Sequence, residues 1–234
     1  GFTELLADPS TGPLNEVQEE YLNDVLHSAK HLFKLINDTL DLAKADAGRL
    51  ELQAAPVDLK SLVEQCVKEA SQEGSKRGVQ FVAEFSEIPE TLQGDKAKIK
   101  RVMGNILNNA VKYSPDNGQV RVQVGMAGKK DLSALGLEGG GEKAFVELVV
   151  KDHGVGIRQE DLDRILNPFE QVETGTTRRF SGTGMGLALA RRWVALHQGG
   201  LWATSDGPGK GAEFHVVLPV NLDQNRPVGL ARVA

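Results

Sequence analysis

One apolar run limits the fold of this chain more than any other feature. Ala144-Phe-Val-Glu-Leu-Val-Val150 is β-branched and passes directly into Lys151-Asp152-His153-Gly154-Val155-Gly156-Ile157. Such a run reads as a buried strand that delivers one carboxylate, Asp152, to a tight turn, where glycine lets backbone approach a flat ligand. Short Asp-x-Gly-x-Gly matches are also ordinary turns. The motif gains meaning only from its neighbours.

Upstream lies Asn105-Ile-Leu-Asn-Asn109-Ala-Val-Lys112-Tyr113-Ser-Pro115, and downstream Ser181-Gly182-Thr183-Gly184-Met185-Gly186-Leu187-Ala-Leu-Ala190. Asp95 caps a predicted helix with Ile99, Val102, Met103, Ile106 and Leu107 inward, which puts Asn105 and Asn109 one turn apart on a common face. The Gly-x-Gly-x-Gly run hands its backbone amides to a helix beginning near Met185, and unpaired N–H groups at a helix start favour anions. It lacks the Gly-x-Gly-x-x-Gly dinucleotide spacing, and no Gly-x-x-x-x-Gly-Lys-Ser/Thr loop occurs.

Taken in order, with Pro168-Phe169-Glu170 and Gly207-Pro-Gly-Lys-Gly211 between and after, these segments resemble the catalytic domain of sensor histidine kinases, GHKL-class ATPases whose other members include gyrase and MutL. The resemblance covers nearly the whole chain. It implies Mg²⁺ and ATP as cofactors, with Asn109 on the metal and Asn105 supporting the metal and its waters. Asp152 would accept from the adenine amino group, Gly154, Gly156 and Ile157 would border the ring, and Tyr113 would stack beside the base or ribose. Lys112 and Arg178 or Arg179 would reach phosphate, and Gly182, Thr183, Gly184, Met185, Gly186 and Leu187 would form the phosphate-facing box. Phe169 reads as that family's phenylalanine box or, on the residues alone, as a plain core aromatic. Asn105, Lys112 and Arg178 are the expected catalytic set. A GHKL hydrolase would need a glutamate where Asn105 stands.

Residues 1–52 read as the end of one helix, the turn Asp8-Pro-Ser-Thr-Gly-Pro13 and a long second helix. Leu22, Val25, Leu26, Ala29, Leu32, Phe33, Ile36, Leu40 and Ala43 repeat in threes and fours and make one apolar stripe. A stripe of that length must be covered, which suggests a helical hairpin paired with a second copy in a four-helix bundle, or cover for the second domain's sheet. By resemblance it is the dimerisation and phosphoacceptor hairpin of a homodimer, with the acceptor histidine box expected upstream of residue 1. The sequence shown is then expected to bind ATP without phosphorylating itself. His27 and His31 read as solvated helix-face residues rather than acceptors or metal ligands.

Val79–Phe85, Val120–Val124 and Phe145–Val150 read as strands, and Phe214–Leu218 as the one that closes the sheet. Leu50 and Leu52 suit a short strand or linker, Asp58 a helix cap, and Gly125–Lys143 an irregular surface insert. The fold class expected is α+β: a two-layer sandwich of a mixed, mainly antiparallel sheet with helices on one face, preceded by the hairpin. The expected divisions are 1–52, a nucleotide-binding domain at 53–220, and a tail or linker at 221–234.

Lys+Arg 27 against Asp+Glu 32 gives a net charge of −5, which offers nucleic acid or an anionic membrane no general attraction. No stretch reaches the ~18 apolar residues of a membrane helix, so a cytoplasmic portion is expected, with any membrane anchor outside it. The single cysteine, Cys66, sits at helical spacing among apolar residues as a small buried hydrophobe. The resemblance implies transfer of the ATP γ-phosphoryl to a histidine and then to a response-regulator aspartate. The alternative is an ATP-binding regulatory module.

Overall fold

The computed structural model describes all residues except 1, 7, 9, 11, 129–131, 133–136, 138–143, 172–182 and 224–234. Contacts divide the chain into two compact units, Gly1–Gly48 and Arg49–Ala234.

The first unit is a helical hairpin of α1 (Phe2–Leu6) and α2 (Glu16–Asp46). Asn15 starts α2 with a reciprocal cap: its side chain accepts from the Gln18 amide at 2.9 Å, and the Gln18 side chain accepts from the Asn15 amide at 3.0 Å. Val25, Leu32, Phe33, Ile36 and Leu40, each at least half exposed, form the stripe expected from the sequence. His27 and His31 are exposed on the same helix.

In the second unit, β1 (Ala55–Val57) pairs antiparallel with β3 (Leu92–Gly94) as a two-stranded ribbon. The main sheet has the order β2-β4-β5-β7-β6, formed by β2 (Gln80–Phe85), β4 (Gln119–Met126), β5 (Phe145–Asp152), β7 (Ala212–Pro219) and β6 (Gly200–Thr204). The β2–β4 pair is parallel and the other pairs are antiparallel. Helices α3 (Leu59–Gly74), α4 (Lys96–Tyr113) and α5 (Gly186–Leu196) cover one face. This is the two-layer α+β sandwich expected.

Alternation along the strands sends Leu148, Val216 and Leu218 toward Ile99, Val102 and Met103 of α4 and Val194 of α5. Asp58 caps α3 through the Ser61 amide at 2.9 Å, and Asp95 caps α4 through the amides of Ala97 and Lys98 at 3.0 and 3.1 Å. Cys66 is buried in α3, and desolvation pushes its thiol up to about 11, which keeps it protonated at neutral pH.

Three sequence expectations need correction. β7 lies inside the sheet, and the edge strand on that side is β6, whose five residues carry too little period to be read. For Leu50 and Leu52 only the strand alternative is corrected: that stretch is the linker, and the short strand is Ala55–Val57. Gly125–Lys143 is more than a surface insert: Leu132 and Leu137 are buried with Phe145 and Val217 on the sheet face opposite the helices.

A one-turn 3₁₀ segment, Ser75–Arg77, follows α3 and finishes α4. The Arg77 guanidinium donates to the carbonyls of Val111, Lys112 and Ser114 at 2.8, 3.1 and 2.8 Å and pairs with Asp116 at 2.9 Å. A cation against the carbonyl end of a helix satisfies orphan acceptors and opposes the negative pole of the dipole. Arg77→Met should therefore cost about 2 kcal/mol of stability, read from urea unfolding with the helical circular dichroism retained. An unchanged midpoint would remove Arg77 from this role.

Candidate functional site

The carboxylate at the end of β5 is enclosed. Asp152 is 4% exposed, and its Oδ1 accepts from the Gly154 amide at 2.8 Å. Burial pushes its pKa above the ordinary value, and amide donation from Gly154 and Ala212 only partly offsets this. The turn that follows has no room for side chains. A Cβ on Gly154 would strike the Tyr113 carbonyl at the end of α4, and Gly156, at φ +69°, would strike the Gly207 carbonyl.

A second glycine loop closes over the first. The Gly209 and Gly211 amides donate to the carbonyls of Val155 and Gly154 at 2.7 and 3.1 Å. Ser205 binds the two loops together: its hydroxyl accepts from the Ile157 amide at 3.0 Å and donates to the Gly211 carbonyl at 2.6 Å. The Ile157 amide is thus already engaged. Nothing in the spacing of Thr204-Ser205-Asp206 marked Ser205 out.

Helices α4 and α5 meet at the glycine box. Asn105 Nδ2 donates to the Gly186 carbonyl at 2.8 Å, and a Cβ on Gly186 would press the Asn105 amide at 3.3 Å. Because Nδ2 is occupied there, Asn105 has Oδ1 as its remaining acceptor. Asn109 and Lys112 are half-buried further along α4, and Lys112 Nζ lies 4.9 Å from the centre of the Tyr113 ring. Met185, at the N-cap of α5, is buried and provides no side-chain cap. The Thr183 hydroxyl accepts from the Met185 amide at 3.2 Å, and the positive end of α5 lies there, a polarity suited to an anion.

Phe169 departs from one of its two readings. It is 67% exposed with φ +64°, so it is not a core aromatic. Its amide donates to the Gly184 carbonyl at 3.0 Å, which joins its turn to the glycine box. The turn is held by Asp161, fully buried, which pairs with Arg158 at 2.7 Å and Arg164 at 2.9 Å; Arg164 also reaches Glu170 at 2.9 Å. In sequence, Asp161 sits in the run Glu160-Asp161-Leu162-Asp163 and gives no sign of burial. Arg178 and Gly182 lie outside the described residues.

The structure thus brings together Tyr113 with Gly154 beside the buried Asp152, Asn105 with Gly186, and Phe169 with Gly184. Among the described residues no group of three or more His, Cys, Asp or Glu side chains could cage a metal. The donors present are amide oxygens, which suit a hard cation that keeps waters and takes other ligands from phosphate.

The family described as "Histidine kinase-, DNA gyrase B-, and HSP90-like ATPase" matches residues 94–222, and "His Kinase A (phospho-acceptor) domain" matches residues 1–48. The chain is 34% identical over 222 residues to histidine protein kinase DivJ of Caulobacter vibrioides, covering 95% of this chain and 34% of that protein. It is 30% identical over 226 residues to signal transduction histidine-protein kinase BarA of Escherichia coli, covering 96% and 23%. A crystal structure of full-length ShkA in complex with AMPPNP superposes with a TM-score of 0.72 at 27% identity, over 91% of this chain and 41% of that one. The chain spans about a quarter to a third of the length of the curated relatives it matches.

The raised pKa of Asp152 has a definite sign in stability. The folded chain disfavours the ionised carboxylate, so its contribution is most favourable below the ordinary value of 3.8 and is lost as pH rises through the folded value. Asp152→Asn removes that ionisation. The variant's stability advantage in urea should be present at pH 7 and shrink toward pH 4; a variant less stable than the parent at pH 7 contradicts the assignment.

Proposed function

The chain belongs to the family of histidine kinase-, DNA gyrase B- and HSP90-like ATPases, and from that premise we propose that it is the ATP-binding catalytic region of a sensor histidine kinase. The observation that carries this reading is that α4 touches the Asp152 turn through Tyr113 and the glycine-box helix through Asn105. One helix thereby joins a buried acid to the amide end of α5, the two recognition elements an adenine nucleotide needs.

Asp152 accepts a hydrogen bond from the adenine amino group, and a guanine carbonyl at that position would offer it nothing. Gly154 and Gly156 leave the plane of the base clear, and Tyr113 flanks base or ribose. Thr183, Gly184, Gly186 and Leu187, with Gly182 from outside the described residues, would offer backbone to the phosphates, and Met185 is buried. Lys112, and Arg178 from outside the described residues, supply positive charge. Asn109 would hold Mg²⁺ and Asn105 Oδ1 would orient its waters; when bound, that cation neutralises phosphate charge. Positioning and charge neutralisation are the main requirements of phosphoryl transfer, and no nucleophile from this pocket is needed.

The γ-phosphoryl passes to a histidine nitrogen and then to a response-regulator aspartate. The exposed α2 stripe pairs with its copy in a homodimer. Asn105, tied to Gly186, occupies the position where a water-activating glutamate would be needed, which favours transfer over hydrolysis. Among the described residues no helix is long and apolar enough to cross a membrane. We place this region in the cytoplasm, where ATP is supplied.

Calorimetric titration with an ATP analogue and Mg²⁺ tests the site. Asn109→Ala should weaken Mg²⁺-dependent binding by at least about tenfold and leave the circular dichroism unchanged; undiminished titration removes Asn109 from the metal. Mixed with a histidine-bearing phosphoacceptor hairpin of the same family, the chain should produce an acid-labile, base-stable phosphate. Nucleotide binding without such a product would favour a regulatory ATP-binding module.

A further inference from the structure

His197, immediately after α5, is 1% exposed and has a hydrogen bond on each ring nitrogen. Nε2 is 2.9 Å from the backbone amide of Asp95, a donor, so that nitrogen must be the acceptor. Nδ1 then carries the proton and donates to the Trp193 carbonyl at 2.7 Å. The ring is therefore neutral, and burial pushes its pKa below the ordinary 6.5. The groups packed around it, Ile99, Val102, Met103, Val194, Val216 and Leu218, are apolar. Asp95 is the charged neighbour acting on it.

The placement of this bond matters more than its burial. Asp95 caps the start of α4, while His197 follows the end of α5. At the other end of the pair, Asn105 of α4 bonds Gly186 at the start of α5. The two helices are therefore antiparallel and cross-tied twice. Ten residues separate the ties along α4, about 15 Å at 1.5 Å per residue, and eleven along α5, about 16 Å. Matched spans make the ties a register lock: sliding one helix along the other strains both bonds at once.

We infer that His197 is a positioning residue for nucleotide binding: by locking the far ends of α4 and α5 it sets the register that brings Asn105 and the first-turn amides of α5 to one ligand. This rests on the function proposed above. Asp95 extends the lock to the segment after the helical hairpin, because its Oδ2 accepts from the Gln53 amide at 3.0 Å. The Gly94 position leaves little space beside the ring, since a Cβ there would lie 3.2 Å from His197 Cδ2. The fit thus depends on the imidazole's size as well as its hydrogen bonds.

The test compares the unsubstituted chain with His197→Phe and His197→Gln, titrated with AMP-PNP and Mg²⁺ at a temperature where circular dichroism shows all three folded. Phenylalanine fills the space without either bond and should weaken binding about tenfold; glutamine, with an acceptor and a donor, should recover most of it. The Asn105 side-chain amide signal in NMR should shift in His197→Phe, some 15 Å from the substitution. A purely structural role would lower the unfolding temperature and leave both readouts alone. Folded His197→Phe that binds like the parent, with the Asn105 signal unmoved, overturns the inference while the proposed function stands. A parent that takes up no nucleotide overturns that function, and this inference falls with it. Should the phenylalanine variant not fold, His197→Asn replaces it: its shorter amide should bind more weakly than glutamine, and affinity equal to the parent's overturns the inference.

Discussion

Helix α4 has to satisfy two demands with one periodicity. Its apolar side, Ile99, Val102, Met103, Ile106 and Leu107, is buried against the sheet, and each residue is 2% exposed or less. At 100° per residue, that burial forces Asn105, Asn109 and Lys112 toward the helix flank, where they line up one turn after another. Polar groups are thus aimed by the hydrophobic core, which is much stiffer than any polar contact they make. The C-terminus of α4 is held by Arg77 and its N-terminus by Asp95. A helix packed on one side and capped at both ends is a fixed reference for the loops around it.

Those loops are fixed differently, by the absence of side chains. Gly154, Gly156 and Gly211 allow backbone atoms from Tyr113, Gly207 and Asp152 closer than any Cβ permits. The result is two turns interlocked by amide bonds and by Ser205, with Asp152 sealed beneath them. Its desolvation cost is the reason such a carboxylate is informative: a buried acid with a raised pKa is poorly placed for stability and well placed to accept from a neutral donor.

The features that could be read from the sequence were those with local causes. The β5 run, the stripe of α2, the caps Asp58 and Asp95 and the glycine spacings each owe their conformation to neighbouring residues. What stayed hidden has a distant cause. β6 is a strand because β7 lies beside it, and five residues beginning at Gly200 carry no alternation of their own. Asp161 is buried because Arg158 and Arg164 fold over it, and Leu132 and Leu137 because Phe145 and Val217 await them. Ser205, Arg77 and His197 act on partners 34 to 102 residues away, a range over which composition and period say nothing.

Charge sharpens the contrast between local and global. A chain of net charge −5 has no long-range attraction for a nucleotide triphosphate, which is itself a polyanion. On the proposed function, affinity must therefore arise within a few ångströms, where helix-start amides and Lys112 act at short range and low effective dielectric. A divalent cation fits the same logic, since it lowers the ligand's charge before the acidic protein meets it. Short-range recognition of this kind tolerates little displacement, because each donor loses its value with a shift of a fraction of an ångström. A rigid α4 tied to its neighbours is what such a site requires, and the α4–α5 pairing, tied through Asn105 and His197, is the part of this fold that supplies it.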